Sequence, residues 1–102
     1  MYLDNEKKHF LKNKIIEIMQ QNEEIHKVVI FGSFNESSDP NDIDIAIFEN
    51  TKIDYLTLAL KYRKQLREIS NEISIDVIPV RIDAPENSFI SELNKGEVIY
   101  ER

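Results

Sequence analysis

The run Asp42-Ile43-Asp44-Ile45-Ala46-Ile47-Phe48 alternates without a break. On an extended strand Ile43, Ile45 and Ile47 leave one way, and Asp42, Asp44, Ala46 and Phe48 leave the other. The first face is committed to a hydrophobic core; the second is free to carry chemistry. Two residues apart on a strand, the Cα atoms of Asp42 and Asp44 stand ~6.5–7 Å apart. Carboxylates at that separation can share one divalent cation or flank a pair of them.

The neighbouring segments place this strand. Residues 5–22 read as a helix, with Leu11, Ile15, Ile18 and Met19 at helical spacing, Asp4 as N-cap and Asn22 as stop. Lys27 to Phe31 is a short buried strand that runs into Gly32. Residues 35–41 are a loop rich in Asn, Ser, Asp and Pro. Residues 54–69 predict a second helix with Tyr55, Ala59, Tyr62, Leu66 and Ile69 as its stripe. Ile73 to Val80 is a third strand. A short helix from Ser88 uses Phe89, Ile90 and Leu93 and stops at Gly96, and Val98-Ile99-Tyr100 is an extended tail. The first two strands pair antiparallel and the third lies beside them after a helix that covers one face. The fold class is α+β, a small mixed sheet backed by helices, in a single domain over residues 1–102.

Two further features bear on the acidic face. Gly32 ends a strand just before Ser33, and a residue without Cβ lets the backbone approach a ligand closely. If Ser33 opens a helical turn, its N–H groups and hydroxyl make an anion site. Asp76 interrupts the apolar run Ile75-Asp76-Val77-Ile78, where a charge is costly unless it is exposed or paired. Alone, each has a plain structural meaning: a strand-ending glycine with a capping serine, a solvated strand start, a strand with one wet face. Together they are the set that two-metal phosphoryl or nucleotidyl transfer needs. Gly32 and Ser33 hold phosphates, Asp42 and Asp44 hold metal, and Asp76 completes the metal site nearest the attacking hydroxyl. Oxygen ligands suit Mg²⁺.

Composition narrows the alternatives. The formal net charge of −6 would repel a phosphate backbone, so general nucleic-acid binding is not expected. There is no cysteine and hence no thiolate chemistry or disulfide. No apolar run approaches the ~20 residues that span a bilayer, and the start Met1–Lys8 lacks the apolar core of a signal peptide. A cytoplasmic location is the expectation. Three convergent carboxylates repel one another unless cations stand between them, so the acidic balance itself favours a metal site.

Through Phe31-Gly32-Ser33-Phe34, Pro40-Asn41-Asp42-Ile43-Asp44-Ile45-Ala46-Ile47 and Ile75-Asp76-Val77, the chain resembles the minimal nucleotidyltransferases (MNT) of the DNA polymerase beta superfamily. The resemblance implies the polymerase-beta-like fold. It also implies two Mg²⁺ ions and transfer of a nucleoside monophosphate from an NTP, ATP first among them, to a hydroxyl. Many such proteins are the antitoxin of a pair whose other half is a small helical HEPN-domain toxin. There the resemblance implies modification of a tyrosine on that partner. A chain that neutralises its partner by masking alone, and the catalytic subunit of a small-molecule nucleotidyltransferase, are the alternatives. A homodimer stays open.

In two respects the chain departs from the family: eight residues separate Ser33 from Asp42, where the family more usually has ~9–10, and the loop between them differs. Where relatives often carry an Ala-Arg-Gly stretch, it has Asn35-Glu36-Ser37, with no basic residue in the loop. His9 and His26 have no ligand-spaced partner. Tyr55, Tyr62 and Phe89 are expected in the core. Lys61, Arg63, Lys64 and Arg67 are expected on a solvated helix face, and Asp39 and Asp54 at a turn and a helix start.

Overall fold

A computed structural model describes residues 3–102; Met1 and Tyr2, part of the start discussed above, lie outside the described residues. Helix α1 spans Asn5–Met19, and Asp4 caps it by accepting from the Lys7 backbone N–H at 2.8 Å. It ends before Asn22, which closes the helix from outside. The Asn22 amide donates to the Met19 carbonyl and exchanges two hydrogen bonds with the Gln65 side chain. Strand β1 (Ile25–Phe31) passes into a single 3-10 turn, Gly32–Phe34, and after the loop comes β2 (Asp42–Glu49).

The expected single second helix is two. Helix α2 (Tyr55–Gln65), capped by Asp54, breaks at Leu66, whose ψ of 11° leaves the helical well, and α3 (Arg67–Ser70) follows. Then come β3 (Ser74–Arg81), α4 (Ser88–Asn94) and β4 (Glu97–Glu101). The sheet order is β3-β2-β1-β4. β1 is antiparallel to both β2 and β4, while β3 is parallel to β2 across the α2–α3 connection. The tail expected around Val98–Tyr100 is therefore an edge strand paired to β1. Gly96 lets the chain enter it. A Cβ there would collide with the Ile30 carbonyl oxygen and meet the Val29 side chain at 2.8 Å.

The two faces of the sheet differ as the alternation of β2 requires. Ile43, Ile45 and Ile47 are fully buried with Val28, Ile30 and Val77 beneath Leu11, Ile15 and Met19 of α1, Leu58 and Tyr62 of α2, and Ile69 of α3. Each fully buried Ile stabilises the fold by ~1.5–3 kcal/mol. On the other face a smaller core gathers Val29, Ala46, Phe48 and Val80 under Ile90 and Leu93 of α4. That cover explains why Val80 is apolar on the same face as Asp76. It extends over one end only: Asp42 and Asp44 are half-buried and Asp76 is exposed.

Two aromatic expectations are overturned. Tyr55 is 57% exposed and Phe89 56%. Tyr55 opens α2 ahead of the buried stripe, which begins at Leu58 instead. Ile90 and Leu93, three apart, face the sheet, and Phe89 lies about 100° around the helix from Ile90. Both side chains line an apolar groove of about 600 Å³ beside β3, with Ile78, Pro79, Ala84 and Pro85.

Candidate active site

The parallel register brings Asp44 opposite Asp76, and Asp42 opposite Ser74. Adjacent strands are ~4.8 Å apart, so the carboxylates of Asp44 and Asp76 leave the same face side by side. The consequence is electrostatic. Burial, followed by the charges of Asp76 and then Asp42 and a hydrogen bond shared with Asp76, pushes the Asp44 carboxyl above its ordinary range. A proton, or a cation, is favoured between these groups. Among the described residues no three acidic, histidine or cysteine side chains stand so placed that they could hold a metal ion together. Asp44 and Asp76 form the close pair, and Asp42 acts on Asp44 through charge. The donor set suits a hard cation, and the repulsion within it is what such a cation would remove.

Gly32 completes the geometry from β1, where Phe31 pairs with Asp44. Its φ is +77°, a left-handed conformation that favours glycine. A Cβ at this position would lie 2.5 Å from Asp44 Oδ2. The glycine is needed twice, for the turn and for the space that the carboxylate occupies. The following Ser33 is exposed and lies in the expected helical turn, its carbonyl accepting from the Ser37 and Glu36 backbone N–H groups at 2.8 and 3.1 Å. Gly32, Asp42, Asp44 and Asp76 therefore come together at one open end of the sheet, with Ser33 next in the chain.

The loop after the turn is held from α1. Lys8 is buried and donates to the Ser37 carbonyl, and the Leu3 backbone N–H donates to the Ser38 carbonyl at 2.7 Å. Buried Phe34 has the ammonium groups of Lys8 and Lys12 at 5.5 and 5.9 Å from its ring centre. On the β1–β4 flank a groove of about 660 Å³ is lined by Gly32, Lys12, Asn35, Glu36, Lys95 and Glu97, among others. Sequence reading missed Lys8 and Lys12. Lys8 stands three residues before Leu11 and seven before Ile15, so helical spacing puts it on the buried stripe of α1 with Lys12 at the edge of that stripe; no spacing rule links them to a loop some 25 residues later. The histidines stay apart from this site: His9 is exposed and His26 half-buried. Arg63, Lys64 and Arg67 are exposed as expected, while Lys61 pairs with Glu24 at 3.0 Å.

This fold and this acidic face define a nucleotidyltransferase domain. The chain belongs to the polymerase beta nucleotidyltransferase family, whose pattern matches residues 13–102. Among curated proteins none matches. Solved structures give the same fold at low identity. A mutant MntA toxin–antitoxin complex superposes with a TM-score of 0.67 at 16% identity, covering 89% of this chain and 73% of the other. A toxin–antitoxin complex with AMP-PNP gives 0.66 at 19%, with the same coverages. A tri-AMPylated Shewanella oneidensis HEPN toxin in complex with its MNT antitoxin gives 0.61 at 17%, covering 93% and 73%.

Proposed function

We propose that this protein transfers a nucleoside monophosphate from an NTP, ATP first among them, to a tyrosine hydroxyl of a HEPN-type partner, and acts as the antitoxin of that pair. The observation that carries this reading is the pairing of Asp44 with Asp76 on the uncovered end of the sheet, against Gly32, whose missing Cβ leaves the space that the Asp44 carboxylate occupies. Asp42 and Asp44 would hold Mg²⁺, two ions in the family's manner, with Asp76 completing the set. Bound there, the metal would neutralise the phosphates and the developing charge on the leaving group. Gly32 and Ser33 would receive the phosphates. The hydroxyl oxygen attacks the α-phosphorus and the α–β bridging P–O bond breaks. Pyrophosphate leaves, and the hydroxyl proton passes to Asp76. The toxin–antitoxin neighbours support the choice of acceptor, since one of them contains an AMPylated HEPN toxin. Among the described residues no helix is long and apolar enough to cross a membrane. The cytoplasm, where NTP and Mg²⁺ are available, is the compartment this reading assigns.

The test is intact-mass spectrometry of a HEPN-domain protein from the same genome, incubated with this chain, Mg²⁺ and each NTP, beside an Asp42→Ala/Asp44→Ala control. A nucleoside-monophosphate adduct that disappears in the control and with chelator is the expected result. A second reading, neutralisation by masking alone, is favoured by Glu36, which lines the groove at Gly32 where relatives often have a basic residue. A stable complex with no adduct under any NTP would replace the first reading with the second.

A further inference from the structure

The loop after Gly32 contains no cation, so any side-chain charge that adds to the metal's hold on the outer phosphates must come from elsewhere in the fold. We propose that Lys12, from helix α1, supplies that charge to the β and γ phosphates of the donor nucleotide, and that Glu97 holds it in place until the nucleotide arrives. The inference rests on the function proposed above.

In-line displacement puts the incoming hydroxyl and the leaving pyrophosphate on opposite sides of the α-phosphorus. The sheet order fixes which side is which. Across β3-β2-β1-β4 lie in turn Asp76, then Asp42 and Asp44, then the Gly32 turn, then the groove containing Lys12. With the hydroxyl beside Asp76, the leaving phosphates extend past Gly32 toward β4 and into that groove.

Two cations line it, and they are not equivalent. Lys95 is paired with Glu92 on its own helix end, its side chain 71% exposed, so solvent screens most of its charge. The Lys12 side chain is only 20% exposed. Its ammonium stands 5.9 Å from the Phe34 ring centre, beside the turn itself, and 2.6 Å from Glu97 Oε1. A charge shielded from water acts more strongly on a neighbouring anion. Glu97 opens β4 opposite Ile30, one residue before the strand reaches Phe31 and Gly32, and is half-exposed. It can release the ammonium to solvent-facing phosphates without leaving a buried carboxylate. Glu97 thus competes with the nucleotide for Lys12.

The test is calorimetric binding of Mg·ATP and of AMP to the wild-type chain and to Lys12→Met, Lys12→Arg and Glu97→Gln, with folding checked by circular dichroism. Lys12→Met should weaken ATP binding by about 10- to 100-fold, the scale of one hydrogen bond to a charged group, and leave AMP unchanged. Lys12→Arg should restore most of the loss, and Glu97→Gln should bind ATP more tightly than wild type. Lys12→Met with wild-type ATP affinity, or with equal losses for ATP and AMP, overturns the assignment and leaves the proposed function standing. If Lys12→Met does not fold, Glu97→Gln decides, and no tightening overturns the assignment. A wild-type chain that binds no NTP with Mg²⁺ overturns both.

Discussion

Replacing Asp44 by Asn should make the metal-free protein more stable while abolishing its chemistry. Asp44 and Asp76 are register partners on neighbouring strands, so their charges lie ~5 Å apart and repel by ~3 kcal/mol at an effective dielectric of 20. Asp76 is exposed and Asp44 only half-buried; solvent and salt reduce the net cost to about 1 kcal/mol. Asparagine keeps the shape and removes the charge. A gain of about 1 kcal/mol raises the melting temperature of a domain this size by roughly 4–8 °C. The pH dependence fixes the sign. The folded-state pKa of Asp44 lies above its unfolded value, so the folded state binds the proton more tightly. The wild-type penalty is present in full above the folded pKa and vanishes below the unfolded one. Thermal melts in chelator should therefore show Asp44→Asn ahead at pH 7 and level with wild type in acid below the carboxylate range. Mg²⁺ should raise the wild-type melting temperature more than the variant's. A variant no more stable than wild type at neutral pH, with the same acid dependence, would refute the claim that these carboxylates repel.

Other perturbations separate site from scaffold. Gly32→Ala places a Cβ at a φ of +77° and 2.5 Å from Asp44 Oδ2; a stability loss of about 1–2 kcal/mol in urea melts should accompany loss of nucleotidyl transfer. Lys8→Met removes the donor to the Ser37 carbonyl and should cost about 1–3 kcal/mol, with faster amide exchange over residues 35–41 if the lysine is what holds that loop. Tyr62→Phe removes the 2.8 Å hydrogen bond to Glu24, at about 1–2 kcal/mol. Burial raises the Glu24 carboxyl, but its own backbone, Tyr62 and Lys61 outweigh that and leave it below its ordinary range. Its contribution to stability is present above the unfolded pKa and lost as pH falls through the folded one, so the acid limb of the melting curve should flatten in Tyr62→Phe.

Local sequence settled most of the elements. Strict alternation in Asp42–Phe48 fixed a strand with one buried face, because a period of two admits no other distribution of side chains. The cap residues Asp4 and Asp54 marked their helix starts through hydrogen bonds made within four residues. Gly32 was legible as the glycine that ends a strand, but its contact with Asp44 follows only from the antiparallel β1–β2 register. What local sequence did not settle depends on contacts between distant segments. Nothing within Val98–Tyr100 tells an extended tail from an edge strand, because its partner is β1, some 70 residues earlier. Tyr55 and Phe89 have the apolarity of core residues, and only the placement of α2 and α4 beside β3 leaves them outside. Three aspartates could be named from their spacing, but their mutual repulsion exists only once the parallel β2–β3 register sets Asp44 against Asp76. The same holds for Lys8 and Lys12. Lys8 falls on the apolar stripe of α1 with Leu11 and Ile15, yet only the packing of α1 against the Gly32–Phe34 turn and its loop makes it a buried anchor and Lys12 a charge beside the turn.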